Sequence, residues 1–223
     1  MPRESYQSKL DSLETEVSYM SDIVVDRLRT ALVAMEVGDE STAWQVVNGD
    51  DEVNQLYLDI EQECIDLFAT QQPVAGDLRF VAASFKILTD LERIGDLATN
   101  VGGYAIEAKT DAYPDVDVPE IGTYAASMVE AAMAAYADED AEACYAVAER
   151  DDELDAMCEQ ASQAVIRDLV ESEKSRDRSA EVVFDDVSQL LLTIRDLERV
   201  GDHAVNIAAR ALYMVASDDE LIY

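Results

Sequence analysis

The chain has 223 residues, enough to bury a substantial core as one large domain or two small ones. It carries 49 acidic against 16 basic residues, a formal net charge of -33, which repels phosphate backbones and anionic lipid and argues against nucleic acid or an acidic membrane surface as a partner. The same excess argues against direct capture of free phosphate, while 49% hydrophobic residues are too many for a disordered acidic tail, so the acid must coat a folded body.

From Tyr6 to about Val37 the apolar positions Leu10, Leu13, Val17, Met20, Val24, Leu28, Ala31 and Met35 step by three or four, the spacing of one long amphipathic helix that ends at Gly38-Asp39. A second helix follows with Val53, Leu56, Ile60, Cys64 and Leu67 on its inner face, closed by Gln71-Gln72-Pro73. A third runs from near Val74 to about Lys109, and three antiparallel helices with short joins make a bundle. The stretch up to Glu120 contains Pro114 and Pro119 and shows no periodicity, so residues 110–120 read as a linker between a first bundle over 1–109 and a second over 121–223.

After the linker the plan repeats. Ile121, Ala125, Met128, Ala132 and Ala135 begin a fourth helix; Leu154, Cys158, Ala161, Val165 and Leu169 stripe a fifth; Glu171 to Ser179 is a polar turn; and a sixth runs to about Val215. The fifth matches the second at an offset of 101 and the sixth matches the third at 106. The expected fold is therefore all-α, two pseudo-symmetric antiparallel three-helix bundles with six helices.

The repeat is sharpest in Asp90-Leu91-Glu92-Arg93-Ile94-Gly95-Asp96-Leu97-Ala98-Thr99-Asn100 and Asp196-Leu197-Glu198-Arg199-Val200-Gly201-Asp202-His203-Ala204-Val205-Asn206, identical at eight of eleven positions. At about 100° per residue, Glu92, Asp96 and Asn100 flank the apolar face of one helix, and Glu198, Asp202 and Asn206 that of the other. Glycine within a helix costs about 1 kcal/mol relative to alanine. Gly95 and Gly201 sit at the edge of the apolar stripe, where the missing side chain lets a neighbouring helix approach. That neighbour is expected to bring Asp50 and Asn54 in the first half and Asp151 and Asp155 in the second. Each half then gathers four or five oxygen donors, a set suited to magnesium, calcium, manganese or iron. The competing reading is structural, since carboxylates at helical spacing arise by chance in a chain this acidic.

Other chemistry is harder to build. His203 is the only histidine, and Gly201 stands where a Glu-x-x-His di-iron motif needs its histidine, so a packing or surface role is expected for it. No nucleophilic triad can be assembled around it, and catalysis is not expected. Cys64, Cys144 and Cys158 are odd in number and lie in helical patterns, which fits reduced core residues. Met1 to Val17 is polar, and no uncharged apolar run reaches about 18 residues, so a soluble, cytoplasmic protein without membrane insertion is expected.

These motifs resemble the PhoU family, accessory and regulatory proteins of high-affinity phosphate transport. Gly49-Asp50, Val53-Asn54, Gln72-Pro73, Asp77-Leu78-Arg79 and Leu91 to Asp96 carry the likeness in the first half; Asp151, Asp155, Glu198 to Asp202 and Asn206-Ile207 carry it in the second. The resemblance implies a PhoU-like pair of three-helix bundles, a homodimer, and acidic motifs that in some members hold multinuclear iron or zinc clusters. Carried over by position, the metal ligands would be Asp50, Asn54, Glu92 and Asp96 in one half and Asp151, Asp155, Glu198 and Asp202 in the other, with Asn100 and Asn206 contributing one turn on. Asn54 stands where the second copy has Asp155, and Asp185 where the first has Arg79, so the halves are not expected to be equivalent. Function by resemblance is negative control of phosphate uptake and of phosphate-starvation signalling, through the ATPase subunit of the phosphate ABC transporter and, in bacteria, a sensor kinase. Two alternatives use other features: a metal-dependent enzyme or metal-storage bundle built on the acid clusters, and a PhoU-like module serving a potassium or sodium/phosphate carrier.

Surface acid with lysine restricted to Lys9, Lys86, Lys109 and Lys174 fits a halophile's protein, because salt screens the self-repulsion. An acidic mesophilic protein is the alternative. Lowering salt from molar to tens of millimolar should unfold the halophilic chain, followed by far-UV circular dichroism; full helicity in dilute buffer would refute that reading.

Overall fold

The computed structural model describes residues 3–70, 74–107, 116–172 and 180–222, which form eight helices and no strand. Six are long: α1 (Arg3–Val37), α3 (Asp50–Thr70), α4 (Ala75–Glu107), α5 (Val118–Ala137), α7 (Asp151–Ser172) and α8 (Ala180–Ala216). Two are short, α2 (Glu40–Asn48) and α6 (Ala141–Glu149), one per repeat and nine residues each. The expected six-helix, two-bundle plan is present, with a short helix added after the first long one of each repeat.

Both short helices start at an aspartate cap. Asp39 accepts from the backbone N–H groups of Ser41 and Thr42, and Asp140 from those of Glu142 and Ala143, satisfying donors that the first turn leaves free. The turns before them are equivalent too: Gly38 has φ 66° and Glu139, 101 positions on, has φ 53°. Glycine takes this left-handed geometry freely; glutamate pays about 1–2 kcal/mol for it. Asp117 caps α5, whose first residue is Val118, so this helix begins inside the segment expected as linker. The expected turn at 71–73, residues 173–179 of the turn expected over 171–179, and linker residues 110–115 lie outside the described residues, while α7 runs through Ser172 and so continues two residues into that second turn.

The repeats pack by the same rules. α1 packs on α4 as α5 does on α8, and α3 on α4 as α7 does on α8. Between repeats, α4 lies against α8 and α1 against α5. The inward stripes read from the sequence are buried: Leu13, Val17, Met20, Val24 and Leu28 in α1, and Leu154, Cys158 and Val165 in α7. One continuous hydrophobic cluster joins Leu13, Leu88 and Leu91 to Met128, Leu197 and Leu212, so the repeats share a core. Among the described residues no helix is long and apolar enough to cross a membrane.

Candidate functional site: one scaffold, two acid clusters

In each repeat the motif glycine brings two helices together. A Cβ on Gly95 would come within 3.1 Å of Val53 Cγ1, and one on Gly201 would collide with Leu154, the equivalent residue of α7. The close approach expected of both glycines is thus real. It sets the first turn of α3 beside Glu92 and Asp96, and the first turn of α7 beside Glu198 and Asp202.

In the first repeat the oxygens are already engaged. Asn54 donates through Nδ2 to Asp50 Oδ2 at 2.7 Å, and Thr99 donates through Oγ1 to Asp50 Oδ1 at 3.1 Å. Arg93 lies on the other acids, with Nε 3.5 Å from Glu92 and Nη1 3.4 Å from Asp96. Partial burial raises the Glu92 carboxyl above its ordinary value, Asp96 adds to this, and Arg93 opposes it.

The second repeat differs at two positions with large consequences. Asp155 replaces Asn54 and Val205 replaces Thr99, so Asp151 loses both donors that its counterpart Asp50 has. Asp151 Oδ1 is buried with no hydrogen-bond partner. Burial first, then the charges of Asp155, Asp202, Asp152 and Glu198, push its pKa up to about 6. Glu198, though exposed, is raised by partial loss of water and then by Asp155 and Asp202; Asp202, also exposed, is raised by partial loss of water and by Asp155, against the pull of His203 and Arg199. The four carboxylates expected together are therefore within electrostatic reach of one another.

Asn100 does not join them. Its Nδ2 donates to Asp196 Oδ2 of the other repeat at 3.2 Å, beside the Tyr104 hydroxyl, which donates to the same oxygen at 3.0 Å. Asn206 is exposed. Eight residues after Glu92, at about 100° each, a side chain has drifted some 80° around the helix, away from α3 and toward α8.

Two residues missed by the sequence reading matter here. Asp90 and Asp196, the first residues of the two motif copies, both cross to the other repeat. Asp90 Oδ1 lies 2.9 Å from His203 Nδ1, so the histidine is a bridge between repeats rather than a surface group. Asp196 is 1% exposed and takes Asn100, Tyr104 and Arg199, the last at 3.5 Å. Their signal lay in the identity of the motif's first position.

The donor chemistry of the second repeat fits a hard cation: oxygens only, mutual repulsion, and an orphaned buried acceptor. The first repeat fits it poorly, since both oxygens of Asp50 already accept hydrogen bonds. Among the described residues no three His, Cys, Asp or Glu side chains converge in ligating geometry, so closing the second cluster on an ion requires side-chain rotation.

Fold and site together define a duplicated α-helical bundle protein with acids gathered on matched helices in each repeat. The chain belongs to the PhoU family: the PhoU domain matches residues 17–105 and 118–211. It is 31% identical over 219 residues to the phosphate-specific transport system accessory protein PhoU homolog of Pseudomonas putida, covering 97% of this chain and 82% of that one. The PhoU homolog 1 of Methanothermobacter thermautotrophicus is 28% identical, with 97% of each chain covered. The crystal structure of PhoU from Pseudomonas aeruginosa superposes with a TM-score of 0.83 at 32% identity, covering 96% of this chain and 100% of that one.

The Asp151 carboxyl titrates at about 6 in the folded chain against an ordinary 3.8. A raised acid contributes stability below the unfolded value that is lost as pH rises through the folded one. Asp151→Asn should therefore stabilise the chelated protein at pH 7.5 by on the order of 1 kcal/mol after solvent screening, and leave it unchanged near pH 4. Thermal unfolding across that range checks it; a variant less stable than its parent at pH 7.5 would mean Asp151 has a partner.

Proposed function

We propose that this chain restrains phosphate uptake by docking on the phosphate ABC transporter, at its ATPase subunit, and on a sensor kinase where the host has one. The observation that carries this reading is the end-to-end match of a duplicated motif to relatives named as phosphate-specific transport accessory proteins. Those names describe an accessory role, which supports regulation over catalysis. A homodimer in a halophile's cytoplasm is the proposed working form, consistent with the acid coat.

The second-repeat cluster supports a regulatory cation site. Asp151, Asp155, Glu198 and Asp202 would hold the ion, and it would supply positive charge where four carboxylates repel. In the first repeat, Asn54 and Thr99 instead satisfy Asp50 as hydrogen-bond donors, and the Arg93 guanidinium lies on Glu92 and Asp96.

Deleting the gene in its host should raise uptake of radiolabelled phosphate several-fold in phosphate-replete medium, and the wild-type gene should restore restraint. Complementation with Glu198→Gln plus Asp202→Asn should restore it only in part. Unchanged uptake in the deletion strain would remove the phosphate reading; full restraint by the double variant would remove the cation site alone.

A further inference from the structure

Large apolar side chains stand open to solvent at two matched places, where α3 ends and α4 begins and where α7 ends and α8 begins. At the first place Ile65, Phe68 and Leu78 are exposed; at the second, Ile166, Val170 and Phe184. Two pairs are equivalent in the repeat. Ile65 and Ile166, 101 positions apart, are 45% and 51% exposed, and Leu78 and Phe184, 106 apart, are 45% and 66% exposed. Apolar residues scattered singly over a surface need no explanation. These recur at the same positions of both repeats, in a chain whose surface is otherwise an acid coat with a net charge of -33.

Helical geometry fixes which way the two patches face. Leu78 precedes Asp96 by 18 residues, five full turns, so both lie on the flank of α4 that runs beside α3; Phe184 and Asp202 are related in the same way on α8. Ile65 follows Asn54 by 11 residues, which is about 20° around α3, and Ile166 follows Asp155 by the same number on α7. Each patch therefore continues the flank that carries the acids of its own repeat, about 27 Å further along toward the end of the helix pair.

The register of the α4–α8 crossing sets the distance between the patches. Gln189 donates to Glu107 at one end of it, and Arg79 donates to the Met214 carbonyl oxygen at the other. Leu78 and Phe184 thus stand at opposite ends of the crossing, about 50 Å apart along its axis. A single small domain does not reach both. Two like surfaces related by the pseudo-symmetry of the repeat match a partner that presents one surface twice. A second copy of this chain would bring the same net charge of -33 against these faces, so charge complementarity selects a partner whose apolar contact is rimmed by lysine or arginine.

We propose that the two helix-pair ends are docking surfaces engaged together by one paired partner, with Ile65 and Leu78 anchoring one half of it and Ile166 and Phe184 the other. This inference rests on the phosphate-transport reading, in which the pair is the two ATPase subunits of the transporter. Buried apolar anchors of this kind carry most of the affinity of an interface, and two linked contacts bind more tightly than either alone.

Binding of the full chain to the purified phosphate ABC transporter of its host, held in nanodiscs at a salt concentration that keeps the chain folded, tests the proposal. Ile65→Ser with Leu78→Ser, and separately Ile166→Ser with Phe184→Ser, should each weaken binding by about tenfold or more through loss of one of two contacts, and all four together should abolish it. Tyr19→Ser with Val33→Ser removes exposed apolar surface from α1 and should leave affinity within about twofold. Undiminished binding by the fourfold variant, or equal weakening by the α1 pair, would overturn the docking surfaces and leave the phosphate-transport reading standing. Weakening by one end alone would overturn the paired partner. Dissociation of the chain's own dimer by the fourfold variant, with transporter binding intact, would assign the patches to self-association and overturn the proposal too. Failure of the wild-type chain to bind the transporter would remove the phosphate-transport reading and this inference with it. If the fourfold variant does not fold by circular dichroism, Leu78→Ala with Phe184→Ala must still weaken binding; unchanged affinity there overturns the proposal.

Discussion

A carboxylate with almost no contact with water lies on the seam between the two repeats, inside the core they share. Asp196 is 1% exposed, and a buried charge is tolerated only where donors surround it. Two of those donors, Asn100 and Tyr104, belong to the other repeat, and a third, Arg199, lies one turn along its own helix. Burial and the neighbouring charge push the Tyr104 hydroxyl up to about 12, so it stays protonated and donates. Asp90 reaches the opposite way to His203. The antiparallel crossing of α4 and α8 thus carries polar pairs within an otherwise apolar seam.

That crossing explains the division of labour within the motif. Asp90 and Glu92 are two residues apart, about 200° around the helix, so one faces the other repeat while the other faces α3. The same holds for Asp196 and Glu198. Glycine at 95 and 201 then lets α3 and α7 close against the acid-bearing flank. Given one scaffold, two side chains decide the character of each groove. Asn54 and Thr99 satisfy both oxygens of Asp50 in the first by hydrogen bonding; Asp155 and Val205 leave Asp151 orphaned in the second.

Much of this was legible in the residues. Period-3.6 stripes located the six long helices, and the doubled motif located the matched helix pairs, because burial imposes those patterns over many turns. The short helices escaped because nine residues hold too few apolar positions for a periodic signal; their aspartate caps, Asp39 and Asp140, were the readable trace. Asn100 was misplaced because a stripe at i, i+4, i+8 drifts around the helix and leaves one neighbour for another. The role of Asp90 and Asp196 was not legible because it depends on how two helices distant in sequence cross.

The account rests on the two repeats folding as one unit across the α4–α8 seam. Each repeat carries its own reporter, the buried thiols of Cys64 and Cys158, at 0% and 1% exposure. Pulsed thiol labelling through a denaturant titration, read residue by residue by mass spectrometry, measures both at once. The account predicts coincident midpoints for the two cysteines, and in Asp196→Ala a shared shift to lower denaturant corresponding to about 2 kcal/mol. Labelling of Cys158 at a denaturant concentration where Cys64 is still protected would contradict it.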